Sequence, residues 1–208
     1  MRQALRDGEV QGRVDLDDAA EVGVWGVGAL EGLAGEVTIV DGEVWITEGD
    51  AVSPVTTRGS GAGARATVLV AAQVEEWVEV PVQGPVESAH FDAFIENAAR
   101  THGIDAASPF VFRVDGELTD LQLHVIAGQC PMRARALGEA TTAPPFELRA
   151  ALATGRLVGV YAQESAGELC HHGSRTHVHV LLEGDRVLTG HVESVGIAAG
   201  SSLRLPRR

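Results

Sequence analysis

Five of the eight histidines, His171, His172, His177, His179 and His191, fall within 21 residues, while His90, His102 and His124 stand apart. In Thr176-His177-Val178-His179-Val180 the two histidines are separated by one residue. On a strand, where side chains alternate, both imidazoles then leave from one face and the valines from the other. The turn-forming stretch Glu183-Gly184-Asp185-Arg186 follows, so an antiparallel return strand can bring His191 beside the pair. Three neutral imidazoles with an open fourth position describe a catalytic zinc site rather than a closed structural one.

Register decides whether the three meet, because a one-residue slip reverses every side chain. A three-residue loop, Glu183-Gly184-Asp185, pairs Leu182 with Arg186 and sets His177 opposite His191. A two-residue Gly184-Asp185 loop turns His191 away. Glycine inside a three-residue hairpin suits a bulge, which favours the first, and Gly190 is a second place where the ladder can adjust. A satisfied surface pair is the bland alternative for the His-x-His spacing, and His191 beyond the hairpin tips the balance to metal. Cys170, His171 and His172 are read as an exposed loop before the strand.

The elements that must position these residues are mostly strands. Short runs rich in valine and isoleucine alternate with glycine and aspartate turns. The clearest hairpin is Glu36 to Val40, Asp41-Gly42, and Glu43 to Thr47, since Asp-Gly takes the positive φ angles of a type I′ turn. Residues 52–64, with Pro54 and Gly59-Ser60-Gly61-Ala62-Gly63, read as a loop, and 67–72 and 74–82 as strands. One segment has helical period: over Ser88 to His102, Phe91, Phe94, Ile95, Ala98 and Ala99 share a face, with Ser88 placed to cap the helix and Gly103 to end it. Phe110 to Val114, an Asp115-Gly116 turn and Leu118 to Ile126 read as a second hairpin. Residues 128–145, with Pro131, Pro144 and Pro145, read as a connection between two halves. Residues 146–150, 156–162, 175–182 and 186–195 read as the later strands. The expected class is α+β, mainly β, in two closely packed parts: residues 1–128, a mixed N-terminal sheet with the helix, and 129–208, a β-rich part carrying the metal strands.

Composition narrows the function. The chain has 208 residues, 45% hydrophobic and 22% charged, as in a folded globular protein. Its 16 basic residues are all arginine, scattered against 29 acidic ones for a net charge of −13, which argues against a nucleic-acid partner. No apolar run approaches the ~20 residues of a membrane-spanning helix. The N-terminus turns polar at once, and Cys130 and Cys170 have no disulfide-like spacing, so a cytoplasmic protein with free thiols is expected. The acidic Asp15-Leu16-Asp17-Asp18 reads as solvated surface, and Trp25, Trp45 and Trp77 as core or interface residues.

Several motifs, in a common order from about Leu5 to Pro206, resemble the bacterial α-acetolactate decarboxylases. The stretch from Val24 through Gly26, Gly28, Leu30, Gly35 and Glu36 to Val37 is similar to the family's G-x-G-T-x-x-x-L-D-G-E-M signature. Phe110 to Gly116 is similar to F-Y-A-[IV]-[RK]-[IL]-x-G, and Arg156 to Tyr161 to G-T-L-I-G-F-Y. Thr176-His177-Val178-His179 and Thr189-Gly190-His191-Val192 resemble H-L-H-F and G-G-H-V. The resemblance implies Zn2+ on His177, His179 and His191, an active-site role for Glu36, and decarboxylation of 2-acetolactate, a small 2-hydroxy-3-keto acid, to acetoin. It also implies a homodimer. Zinc would act as a Lewis acid for the enediolate left by carbon dioxide, and Glu36 would manage the following proton.

The chain departs from the family pattern at three places. His124 stands where the family's catalytic arginine is expected, and it lacks the bidentate fork that fits a carboxylate. It is therefore taken with Glu36 as a candidate catalytic residue, while Arg113 matches a basic position that is not the catalytic one. The family's C-terminal extension, ending in an active-site glutamate, has no counterpart after Leu203-Arg204-Leu205-Pro206. One residue is added between His179 and His191. Two other readings stay open: a catalytically altered or silent metal-binding homologue that takes a small hydroxy or keto acid, and a cupin-like metalloenzyme with Glu183 as a further ligand.

Overall fold

The computed structural model describes residues 9–129, 144–163, 169–170, 173–184 and 186–207. The expected mainly β class holds, with two six-stranded sheets. The first comprises β1 (Val14–Asp15), β2 (Val24–Leu30), β3 (Gly35–Val40), β4 (Glu43–Glu48), β5 (Val55–Gly59) and β6 (Arg65–Gln73), in the order β1-β6-β2-β3-β4-β5. The second comprises β7 (Trp77–Pro81), β8 (Phe110–Val125), β9 (Phe146–Tyr161), β10 (Thr176–Leu182), β11 (Leu188–Ile197) and β12 (Ser202–Pro206), in the order β11-β10-β9-β8-β12-β7. Strand β11 also pairs with β8, so β8, β9, β10 and β11 close into a ring of pairings. Pairings in both sheets are antiparallel, where the sequence suggests a mixed N-terminal sheet.

The β3–β4 hairpin forms as its sequence predicts: Asp41 and Gly42 have φ of 54° and 79°, and Val40 pairs with Glu43. Helix α1 (Phe91–Thr101) follows a 3-10 turn at Ser88–His90, and the Ser88 side chain caps neither. Its apolar face buries Phe91, Ile95 and Ala99 against the second sheet's Phe110, Phe112, Val178 and Tyr161.

Three further expectations change. Residues 55–59 form β5 against β4 inside the stretch read as a loop. Residues 146–161 form one strand where two were expected. The Asp115-Gly116 turn is absent: β8 runs straight through it, with Asp115 opposite Arg156 and Gly116 opposite Gly155. Gly116 has φ of 141°, and a Cβ there would lie 2.7 Å from the Ser201 Cβ, so close packing rather than chain reversal requires the glycine.

Alternation gives the first sheet two buried faces. Leu30, Val37, Ile39, Val44 and Ile46 pack outward on Leu16 and Ala66. Trp25, Val27, Val40 and Trp45 pack inward on Val111, Val158, Val160 and Leu181 of the second sheet. Trp77 meets Trp25 edge-on at 5.2 Å, and the Arg113 guanidinium lies 4.8 Å from the Trp25 ring centre. Glu36, Thr38 and Thr47 share that inward face, so the apolar sandwich carries a polar patch.

Candidate metal centre and its carboxylate

Strands β10 and β11 deliver the three histidines to the patch. His177 and His179 project from the face of β10 opposite Val178 and Val180, which lie in the core under α1. The register differs from the expected one: Leu182 pairs with Leu188 and His179 with His191, so residues 183–187 connect the strands. The shift is two residues, which keeps every side chain on its face. Leu188 is buried in the core, and that anchor draws Arg186 and Val187 into the connection. His177, His179 and His191 are 4%, 0% and 6% exposed, and their candidate ligand nitrogens all lie within 4.8 Å of one another. Among the described residues this is the one cluster able to hold a metal ion. His171 and His172 lie outside the described residues.

Behind the histidines runs a chain of hydroxyls. Thr38 Oγ1 is 3.1 Å from His179 Nδ1 and hydrogen-bonds to the Thr189 hydroxyl. The Thr189 backbone N–H donates to Thr47 Oγ1 over 3.1 Å, and the Thr47 and Thr56 hydroxyls are 2.8 Å apart. Thr38, Thr47 and Thr189 are fully buried. With Nδ1 engaged by Thr38, the other nitrogen of His179 is the one turned to the cluster. It lies 3.5 Å from Glu36 Oε2.

Glu36 enters from β3, opposite Thr47 on β4. Its carboxyl is 3% exposed, accepts the Ile126 backbone N–H through Oε1 at 3.3 Å, and lies 3.8 Å from His124 Nε2. Burial pushes its pKa up to about 7, with Glu193 adding to the rise and His124 and the Ile126 amide opposing it. His124 sits on β8 directly opposite His191, ring centres 4.9 Å apart. Burial alone lowers its pKa. The hydrogen bond to Glu193 and the charges of Glu36, Glu193 and Glu147 outweigh that, and the imidazole ends above its ordinary value. The structure thus gathers all five candidate residues, Glu36, His124, His177, His179 and His191, into one site.

Beside it, β10 and β11 part company. β11 pairs with β10 up to His191 and with β8 from His191 onward. On the α1 side of the two strands lies a cavity of about 560 Å³, lined by Asp92, Arg175, Thr176 and Val178 and by His191 and Glu193; His191 is the one candidate site residue that reaches it. Asp92 accepts from the Arg175 amide and the Thr176 hydroxyl, which ties α1 to the start of β10.

The model of the alpha-acetolactate decarboxylase family matches residues 1–204. The chain belongs to that family. Solved structures agree at the level of the fold. Acetolactate decarboxylase from Bacillus subtilis subspecies spizizenii superposes with a TM-score of 0.73 at 19% identity, over 99% of this chain and 83% of that one. The enzyme from Bacillus subtilis strain 168 gives 0.70 at 20%, over 99% and 82%. A Staphylococcus aureus protein of unknown function, described as similar to alpha-acetolactate decarboxylase, gives 0.68 at 16%, over 96% and 79%. No curated protein sequence matches the chain. No helix among the described residues is long and apolar enough to cross a membrane. Within this family fold, Thr38, Thr189 and Glu193 are the site residues that sequence reasoning missed. Threonines in strands look like ordinary strand formers, and nothing around Glu193 in the sequence marks it.

Proposed function

We propose that the chain is a zinc-dependent decarboxylase that converts 2-acetolactate to acetoin, with His177, His179 and His191 holding the metal. The observation that carries this is the buried histidine trio facing a buried glutamate in a chain of the acetolactate decarboxylase family. Three imidazole donors, engaged from behind on His179 by a hydroxyl, suit zinc with a position left open. The chemistry zinc supplies when bound is Lewis-acid stabilisation of the enediolate charge on the substrate.

The chain's own groups do the rest. The bond between the carboxylate carbon and its neighbour breaks, carbon dioxide leaves, and the electron pair passes into the enediolate. Glu36 Oε1 or Oε2 then delivers a proton to the carbon that lost the carboxylate. His124 Nε2 faces the carboxyl from the same side of the site, 3.8 Å from Glu36 Oε1, and the protonated imidazole places a positive charge there. The reading includes a homodimer, supported by the family resemblance, and a cytoplasmic location, supported by the free buried thiol of Cys170. Light scattering and cell fractionation test these.

The test of the activity is metal content by mass spectrometry alongside acetoin formation from racemic 2-acetolactate, for wild type and His179→Ala. Stoichiometric zinc with acetoin that disappears in the variant is expected. Zinc without acetoin would retire the substrate in favour of a metal-binding homologue, and absence of bound metal from both proteins would sink the centre.

A further inference from the structure

Glu193 has no part in the scheme above, yet the fold goes out of its way to place it. β11 pairs Val192 with Leu123 and Ser194 with Gln122, so two steps along β11 match one along β8, and Glu193 is the residue left over. Such a bulge re-aims a side chain, and bulges concentrate beside active sites. Here the carboxylate reaches back along its own strand's neighbour: Glu193 Oε1 lies 2.8 Å from His124 Nδ1. The His124 side chain is 13% exposed while that of Glu193 is 52% exposed, so the histidine is inside the site and its partner on the rim.

A carboxylate only accepts, and a neutral imidazole has one donor and one acceptor. A carboxylate on Nδ1 therefore selects the tautomer protonated there and leaves Nε2 directed at Glu36. An arginine presents donors on several edges of a rigid fork. A histidine at that position has one ring and two unlike nitrogens, and something must choose between them. We propose that Glu193 is a positioning residue that holds His124 with Nδ1–H on its own carboxylate and Nε2 toward Glu36; the kinetic part of this rests on the decarboxylase reading above.

The test uses the full chain, isotope-labelled and metal-free, at a pH where the imidazole is neutral. Long-range proton–nitrogen correlation spectra are recorded for wild type, Glu193→Ala and Glu193→Gln. Wild type should show His124 protonated on Nδ1, Glu193→Gln should keep that tautomer through its amide oxygen, and Glu193→Ala should lose it. In parallel, Glu193→Ala should lower kcat about 10-fold with KM within about twofold, and Glu193→Gln should recover most of the rate. A wild-type His124 protonated on Nε2 alone overturns the proposal without any variant, and so does a Glu193→Ala spectrum identical to wild type. A raised KM with unchanged kcat would make Glu193 a substrate contact instead, which also overturns it. If wild type forms no acetoin, the decarboxylase reading fails, while the spectra still decide the role of Glu193.

Discussion

Thr38→Val changes almost nothing in volume and removes one oxygen from behind the metal site. Thr38 is fully buried, and its hydroxyl links His179 Nδ1, 3.1 Å away, to the Thr189 hydroxyl. A hydroxyl has one proton to give. For His179 to offer Nε2 to a metal, Nδ1–H donates to Thr38, and Thr38 passes its own proton to Thr189. Valine ends this chain at both contacts. In the metal-free protein, leaving buried polar groups without this partner costs about 1–3 kcal/mol. At the metal, loss of a partner that orients a ligand weakens affinity by about 10–100-fold, or about 1.4–2.8 kcal/mol.

Two assays separate these effects: thermal unfolding of the metal-free protein, and zinc affinity by competition with a chromogenic chelator. Thr38→Ser should behave as wild type in both. Thr38→Val/Thr189→Val, in which both hydroxyl partners become apolar, should regain much of the stability, because a polar pair replaced together is nearly neutral. It should not regain zinc affinity, since His179 Nδ1 still faces a methyl group. A Thr38→Val protein that binds zinc within twofold of wild type would refute the idea that this hydroxyl orients the ligand. So would a double variant that recovers affinity along with stability.

Other consequences concern groups outside the centre. Tyr161 is the only tyrosine in the chain, and burial with a hydrogen bond to Glu96 pushes its pKa up to about 12 from 10. Because the folded value is the higher one, its contribution to stability is complete below pH 10 and is lost as pH rises toward 12; ultraviolet titration of the phenolate should show a midpoint well above 10 while the fold persists. Burial pushes the Cys170 thiol up to about 12 from 9, so its thiolate fraction at pH 8 falls about a thousandfold, and peptide mass spectrometry after iodoacetamide should find it alkylated only on unfolding. Arg113→Met keeps the stem but removes a guanidinium that stacks on Trp25 and bonds to Asp115 at 2.8 Å. A loss of about 2 kcal/mol in urea unfolding is expected, and a change under about 0.5 kcal/mol would mean that relief from the neighbouring Arg156 and Arg204 cancels it.

How far these features can be read from the chain depends on the range over which their causes act. Asp41-Gly42 and Asp115-Gly116 are the same dipeptide between apolar runs, and only the first is a turn. At Asp41 the local φ preference is free to act, whereas at Asp115 a 16-residue strand passes through, held by β9 along its length and by Ser201 against the glycine. Local turn chemistry yields there to the pairing partners of Asp115, Arg156 and Ser202, which lie 41 and 87 residues away. Glu193 is hidden for the same reason, since its aim is set by a bulge that exists only when β11 lies against β8. Thr38 and Thr189 acquire their role only when the two sheets close on each other.

The histidine centre escapes this limit because its essential property is parity. On a strand, membership of a face depends on whether a position is odd or even, so any error of two residues in the hairpin is harmless to it. The expected pairing of His177 with His191 and the actual pairing of His179 with His191 differ by such a step. Both leave all three imidazoles on one side. What the step does change is where the strands separate: His179 and His191 are the last pair, so His177 has β9 as a neighbour on one side and no β11 partner on the other. The connection over residues 183–187 takes up the step, while the face that carries the three imidazoles is kept.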